Sequence, residues 1–193
     1  MLIMKNEIRL LGIDDSPFSF SDDFSIIIGV IMRGGSYIEG VLSRRIKVDG
    51  LDATALCIDM INKTRHKKQL RSLLIDGVAF CGFNVIDIDK IFLETGVPVI
   101  TITRDKPDFI KIKQALLKNF SDWQLRLNII EKGILHKVKT NFNPIYIKLR
   151  GISINEAKEI IKLSTIRGVI PEPIRIAHLI ASGIIKGDSY GKA

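Results

Sequence analysis

Three aspartates stand where apolar stretches of the sequence stop. Asp14 and Asp15 follow the run that starts at Arg9, and Asp76 follows an apolar run at 73–75. A carboxylate at the exit of a buried strand needs a counter-charge, a hydrogen-bond donor or a metal ion to offset its desolvation. If the two runs are neighbouring parallel strands, Asp14 and Asp76 meet and could share one Mg²⁺ or flank two ions, an arrangement suited to phosphodiester cleavage. The pattern alone fits turn residues or helix caps equally well.

The chain around these aspartates alternates between strand and helix patterns. Residues 24–32 and 37–48 are rich in alternating or β-branched apolar residues and are separated by Gly34 and Gly35, which predicts an antiparallel hairpin. A helix at 53–61, with Asp52 as its N-cap, leads to the strand that ends at Asp76. Further elements are predicted as a helix at 85–94 ended by Gly96, a strand at 97–103, helices at 107–120 and from Trp123, short strands at 134–140 and 145–149, and helices at 153–165, with a capping box, and 174–185.

This order predicts an α/β protein with one domain spanning residues 1–193. The sheet is expected to be mixed, with an antiparallel hairpin beside parallel strands and helices on both faces. The same order is typical of the ribonuclease H-like fold.

The charge of the chain is compatible with an acidic partner but does not identify one. The formal net charge is +8 and the pI is about 9.5, which suits nucleic acid, although solvated lysine faces give the same values. The densest basic stretch, residues 63–71, fits a solvated loop better than a phosphate contact.

The cysteines and the apolar runs indicate a cellular setting. Cys57 and Cys81 lie in apolar surroundings without CxxC spacing, so we predict free buried thiols and a reducing cytoplasm. The longest apolar runs, such as residues 25–32, are too short to span a bilayer, and no membrane role is expected.

Five motifs carry a resemblance to a known family. They are GIDDSPF at 12–18, YIEGVL at 37–42, VDGLDAT at 48–54, LIDGVAFCGFN at 74–84 and PEPIRIAH at 171–178. The chain resembles the largely archaeal domain-of-unknown-function family ninety-nine, which is similar to endonuclease V, a Mg²⁺-dependent ribonuclease H-like nuclease that recognises deaminated bases, chiefly inosine. The likeness covers nearly the whole chain, and the motif at 171–178 is its most specific part.

The resemblance implies a metal site with one replaced ligand. Asp14 matches the first-strand metal aspartate of endonuclease V, Asp76 matches the aspartate of its Asp-Gly motif, and His178 matches the histidine of its closing helix. The glutamate of its Phe-Arg-Glu sequence falls on Ile46. We expect Asp49, a few residues further on, to substitute as the third acid, so that Asp14, Asp76 and Asp49 bind Mg²⁺ or Mn²⁺ with His178 nearby.

The resemblance also implies nucleic-acid contacts that have diverged. The catalytic lysine of endonuclease V falls on Arg104, which could hold phosphate. Its strand-separating Pro-Tyr-Ile-Pro wedge is SYIE here, which keeps Tyr37, and its His-Pro-Arg element becomes GFN at 82–84. Tyr37 and Phe83 are candidates for base stacking, against rim packing as the ordinary role of such aromatics. Asn84 and Arg175 complete the expected contacts.

The sequence therefore predicts a divalent-metal-dependent endonuclease acting on structured or modified nucleic acid, with deaminated bases among the candidates. A nucleic-acid-binding protein of the same fold that has lost catalysis is the alternative, because the family's glutamate and lysine are missing. Metal-dependent chemistry on a small phosphate is a third possibility.

Overall fold

The computed structural model describes residues 7–189 and contains nine strands and six α-helices within that range. The strands are β1 (Arg9–Asp15), β2 (Phe24–Arg33), β3 (Tyr37–Lys47), β4 (Leu70–Asp76), β5 (Ala79–Phe80), β6 (Asn84–Val85), β7 (Val99–Thr103), β8 (His136–Val138) and β9 (Ile145–Arg150). The helices are α1 (Ala53–Lys63), α2 (Ile88–Thr95), α3 (Phe109–Asn119), α4 (Trp123–Glu131), α5 (Ile154–Ser164) and α6 (Glu172–Lys186). Residues 1–6 and 190–193, which the one-domain prediction includes, lie outside the described residues.

Seven of the strands form one mixed sheet in the order β3-β2-β1-β4-β7-β9-β8. Strands β1, β4 and β7 are parallel to one another, whereas β2, β3, β9 and β8 are joined to their neighbours by antiparallel pairing. The predicted hairpin of β2 and β3, and the predicted adjacency of β1 and β4, are confirmed.

Helices cover both faces of this sheet, because its central strands are apolar on both sides. One face packs against α1 and α2 through residues such as Ile13, Met60 and Ile91. The other packs against α5 and α6 through residues such as Leu74 and Ile160. The predicted α/β architecture is therefore confirmed. None of the helices within residues 7–189 has the length and apolar character that a membrane crossing requires.

The start of α6 lies directly on β1 at Gly12. A Cβ built on Gly12 would come 2.3 Å from the carbonyl carbon of Pro173. Only a residue without a side chain allows this approach. Helix α6 can therefore lie against β1 and β2, where Ala177 and Ala181 pack on Ile28 and Val30.

Several local predictions hold and others need correction. Gly96 ends α2 in the left-handed conformation, and Ser153 forms the capping box of α5, both as predicted. Helix α2 begins at Ile88 rather than at residue 85, because the segment before it forms the small β5–β6 hairpin. Helix α6 begins at Glu172, two residues before the predicted start. Cys57 and Cys81 are free and buried, as predicted.

Asp52 occupies the N-cap position of α1, as predicted, but the capping hydrogen bond comes from another residue. The side chain of Asp52 makes no capping hydrogen bond to the helix. Asn84, more than thirty residues further along the chain, supplies the cap instead, because its Oδ1 accepts a hydrogen bond of 2.9 Å from the N–H of Ala53.

The close approach at Gly12 makes a stability prediction. Gly12→Ala should lower the free energy of unfolding by about 1–3 kcal/mol, because the added methyl group forces Pro173 and the start of α6 away from β1. Urea denaturation measures the difference. Gly40→Ala is the matched control, since a Cβ there would lie 3.9 Å from Ile31, an ordinary contact distance. Gly12→Ala should therefore lose more free energy of unfolding than Gly40→Ala. Equal stability of the two variants would contradict the close packing of α6 on β1.

Candidate active site at the ends of β1 and β4

The parallel pairing of β1 and β4 brings Asp14 and Asp76 side by side. Ile13 pairs with Ile75, so the next residue of each strand stands at the same level of the sheet. Neighbouring strands lie about 4.8 Å apart. Each carboxylate disfavours the charged form of its neighbours, and burial adds to this effect. The pKa values of both Asp14 and Asp76 are raised, chiefly by burial.

Asp14 is held from the α6 side by His178. The side chain of Asp14 is almost fully buried, and the Nδ1–H of His178 donates a 2.8 Å hydrogen bond to its Oδ2. The N–H of Asp15 donates to the Oδ1. The hydrogen bond to Asp14 raises the pKa of His178, since it favours the imidazolium form.

Asp15 points to the opposite face of the sheet and binds the loop before β6. Its Oδ2 accepts a 2.6 Å hydrogen bond from the N–H of Cys81. Burial, followed by the charge of Asp14, raises the pKa of Asp15 to about 6. No role in the site was assigned to Asp15 from the sequence; its position next to Asp14 at a strand end was the available signal.

Asp76 is partly buried. Among residues 7–189, no group donates a hydrogen bond to its carboxylate. Arg104 provides the nearest compensation. It follows the end of β7, in which Ile102 pairs with Asp76, and its guanidinium acts to lower the pKa of Asp76 without reversing the effect of burial. Arg104 is therefore close enough to the carboxylates for its charge to act on Asp76.

The residues present fit a hard divalent cation. Mg²⁺ commonly takes one or two protein carboxylates and completes its shell with water and phosphate oxygens. Asp14 and Asp76 are such a pair, and a cation would offset the burial of their charges. Within residues 7–189, no group of three or more His, Cys, Asp or Glu side chains is arranged to hold a metal ion. The protein therefore offers a two-carboxylate site rather than an assembled set of three acids.

The structure does not bring Asp49 into that pair. Asp49 lies in the turn after β3, and its Oδ1 accepts a 2.8 Å hydrogen bond from the N–H of Phe83. Its own N–H donates to the carbonyl of Cys81. Asp49 and Cys81 both have positive φ, which is uncommon for residues with side chains, and a Cβ on Gly82 would come 2.2 Å from Asp49 Oδ1. The turn and the loop are thus tightly interlocked. Asp49 as a metal ligand stays a prediction.

Ile46, where the family glutamate was expected, is fully buried in the core between the sheet and α1. It pairs with Ser25 of β2.

Tyr37 lies at the far end of the sheet from the carboxylates. It pairs with Arg33, which pairs with Arg9 at the start of β1. Five residues of β1 separate Arg9 from Asp14, a distance of about 17 Å in a strand. Glu39, which replaces a proline of the endonuclease V wedge, is paired there with Arg9 and Arg33. Tyr37 is therefore too far from the carboxylates to stack on a base beside them.

Three of the other predicted nucleic-acid contacts are engaged within the protein. Asn84 is fully buried and bonds Lys47, Asp52 and Ala53, which leaves it unable to touch a ligand and makes that prediction wrong. Phe83 is partly buried and packs edge-to-face on Phe120 at 5.7 Å. The guanidinium of Arg175 is bonded to the buried Glu172, although about a third of its side chain remains exposed.

The sheet order, the direction of its strands and the carboxylates at the ends of β1 and β4 define a ribonuclease H-like protein with a nuclease-type fold. The chain belongs to the family described as Endonuclease dU, whose model matches residues 6–185. A relative from Methanothermobacter thermautotrophicus, called UPF0215 protein, is 47% identical over 192 residues, covering 98% of this chain and 94% of the relative.

Solved structures agree with this assignment. A protein of unknown function from Archaeoglobus fulgidus DSM 4304 superposes with a TM-score of 0.84 at 38% identity, covering 93% of this chain and 99% of that one. Endonuclease V from Ciona intestinalis, solved with a 24mer DNA containing an inosine followed by a ribo-adenosine, gives a TM-score of 0.57 at 14% identity, with coverage of 89% and 83%. The second similarity shows the shared fold, as the sequence resemblance predicted.

The raised pKa of Asp15 predicts a pH-dependent stability. Its carboxyl group is more easily protonated in the folded chain than in the unfolded one, so it favours folding below about pH 4 and ceases to do so as the pH rises through about 6. Asp15→Asn keeps an acceptor for the Cys81 N–H and removes the charge. With a chelator present, the free energy of unfolding of the variant should exceed that of the wild type by about 2–3 kcal/mol above pH 6. At pH 4 the two free energies of unfolding should be nearly equal. The exposed Asp23→Asn should show no such pH-dependent gain.

Asn84 should matter for stability. Asn84→Ala leaves the Ala53 N–H and the Lys47 carbonyl without their partner, and the free energy of unfolding should fall by about 2–3 kcal/mol. Thermal and urea denaturation measure the loss. Asn128→Ala, on the exposed side of α4, is the matched control and should be nearly neutral. If Asn84→Ala instead weakened nucleic-acid binding at unchanged stability, the structural assignment would be wrong.

Proposed function

We propose that this protein is a divalent-metal-dependent endonuclease that cuts nucleic acid beside a deaminated base. The observation that carries the proposal is the pair of carboxylates, Asp14 and Asp76, at the ends of adjacent parallel strands, with His178 Nδ1 hydrogen-bonded to Asp14 Oδ2 at 2.8 Å. Buried carboxylates with raised pKa values are retained where a cation or a reaction requires them.

Asp14 and Asp76 are the residues that would hold Mg²⁺ or Mn²⁺. A bound divalent ion lowers the pKa of a coordinated water and offsets the charge that develops on a phosphate during hydrolysis. His178 fixes the orientation of the Asp14 carboxylate through its Nδ1–H, as a neighbouring donor does for many metal-ligating groups.

Arg104 is the residue that would contact the phosphate. An arginine guanidinium carries a delocalised positive charge and offers several N–H donors to phosphate oxygens. Because it cannot release a proton, Arg104 binds and orients the phosphate, and protonation of the leaving oxygen falls to water or another group. This division of roles separates the protein from one that uses a lysine at the same position.

The family description supports a substrate class. The words Endonuclease dU suit deoxyuridine, the product of deoxycytidine deamination, and the Ciona intestinalis enzyme was solved with inosine-containing DNA. Deaminated nucleotides are therefore the first substrates to test. The net charge of +8 favours a polyanionic partner.

A nucleic-acid-binding protein without catalysis is the second candidate, and a specific observation favours it. Ile46 occupies the position of a family glutamate and is part of the apolar core, so the carboxylate count is lower than in endonuclease V. If Asp49 binds the metal after a rearrangement of its turn, this objection is removed. Asp49→Asn, which keeps the acceptor for Phe83, isolates that question.

Cleavage assays distinguish these candidates. End-labelled oligonucleotides carrying a single deoxyuridine, a single deoxyinosine or no lesion are incubated with Mg²⁺, Mn²⁺ or chelator. The wild type should cut only lesion-containing strands and only with metal. Asp14→Asn and Asp76→Asn should reduce cleavage to background, and His178→Ala should reduce it by about 10–100-fold, because it positions the Asp14 carboxylate.

The exposed Asp23→Asn serves as the matched control and should keep full activity. Binding of the lesion-containing strand without cleavage, unaffected by Asp14→Asn, would contradict the nuclease and support the binding protein. Calorimetric titration of Mn²⁺ gives an independent readout of the metal site, because Asp14→Asn and Asp76→Asn should each weaken binding even where no cleavage is seen.

A further inference from the structure

A depression in the protein surface lies away from the carboxylate site. It has a volume of about 660 Å³ and is formed by the loop between β8 and β9, the outer side of α5 and the segment that follows α5. Four lysines line it, Lys137, Lys139, Lys158 and Lys162, and the acid among its lining residues is Glu159. We call this depression the lysine cleft.

The lysine cleft continues towards the carboxylates through a shallower depression of about 460 Å³. That depression is lined by Arg104 and Lys106 on one side and by Asn143 and Val169 on others. The two depressions share their walls, because Phe142 and Gly168 line the first and the next residue of each segment lines the second. A path therefore runs from Arg104, beside Asp76, to the lysines.

The sheet sets the length of this path. Asp76 of β4 pairs with Ile102 of β7, β7 pairs with β9, and Lys137 of β8 pairs with Tyr146 of β9. Three strand spacings amount to about 14 Å. The path is therefore long enough for a few nucleotides of a single strand.

The charges along the path are available to a ligand. All four lysines of the cleft are exposed, and none of them forms an ion pair with another described residue. Several lysines without acidic partners on one concave surface attract a polyanion. The single negative charge of Glu159 does not neutralise their four positive charges.

The cleft also offers an aromatic surface. Phe142, at the tip of the β8–β9 loop, is 68% exposed, and Ile166 opposite it is 62% exposed. An exposed ring beside cationic side chains is the combination on which unstacked bases bind in single-stranded nucleic acid.

We propose that the lysine cleft binds a single-stranded flank of the substrate, a few nucleotides from the position that is cut. This assignment rests on the proposed function for the position of the cut. The lysines contact phosphates, and Phe142 stacks on one base. A single strand is the occupant we propose, because the paired bases of a duplex are not available to stack on Phe142.

The test measures binding separately from cleavage. A fluorescent single-stranded DNA with one central deoxyuridine, long enough to extend past the cleft on both sides, is titrated in chelator at several salt concentrations. Lys158→Gln with Lys162→Gln should weaken binding about tenfold at low salt and reduce the slope of log affinity against log salt by about 1.4, for two lost phosphate contacts. Phe142→Ala should weaken binding about tenfold at all salt concentrations.

The matched control is Lys67→Gln with Lys68→Gln. These lysines precede β4 at the opposite end of the sheet, and the change in net charge is the same. Equal losses in both double variants, or no loss in either, would overturn the cleft as a binding site, as would a wild type that does not bind the strand. Equal affinity for a duplex of the same length, with the same dependence on Lys158 and Lys162, would overturn the single-strand assignment.

The two proposals fail differently. If the cleft variants bind weakly and the wild type cuts no lesion-containing strand with Mg²⁺ or Mn²⁺, the cleft holds and the nuclease proposal fails. If the wild type cuts and the cleft variants bind and cut the long strand as it does, the nuclease holds and the cleft fails.

Discussion

The candidate site depends on the contact between α6 and β1. Gly12 lets Pro173 approach the strand, and two residues further along the same face Asp14 meets His178 of the same helix. Two residues of strand advance about 7 Å, and the five residues from Pro173 to His178 advance a similar distance in a helix. The strand and the helix therefore advance by the same distance between the two contacts. As a result, the packing at Gly12 places His178 beside Asp14. Without the close contact, the buried carboxylate would lose the hydrogen bond that His178 donates to it.

The other side of β1 serves a different layer. Asp15 binds the N–H of Cys81, and the loop that contains Cys81 interlocks with the turn at Asp49. Two residues with positive φ, Asp49 and Cys81, are held there by hydrogen bonds that compensate for their conformations. The end of β1 thus joins two structures, a helix that orients a carboxylate and a loop that is tied down beside it.

Much of the fold could be predicted from the sequence, because its strands and helices have strong periodicity and clear end signals. The hairpin and the capping box at Ser153 followed from local patterns, and the adjacency of β1 and β4 followed from the expected fold. The functional residues were harder, since motif matching assigns a role to a position without its surroundings. Asn84 was given an exposed role and is instead the buried cap of α1, a partnership across a large sequence separation that no local pattern encodes. Tyr37 keeps its motif, yet the antiparallel register puts it at the other end of the sheet.

The alternation of side chains along β1 constrains how this sequence can vary. Gly12 and Asp14 must share one face, and Asp15 must take the other. Deleting or inserting one residue between the glycine and the aspartates would reverse every face, turning Asp15 towards α6 and Asp14 towards the loop at Cys81. Substitutions in the loops leave that geometry intact, whereas a change in the length of this short strand does not. The invariant to seek in related chains is therefore a spacing, Gly-x-Asp in the first strand matched by Pro-x₄-His in the last helix, and it is a stronger test of a preserved site than overall identity.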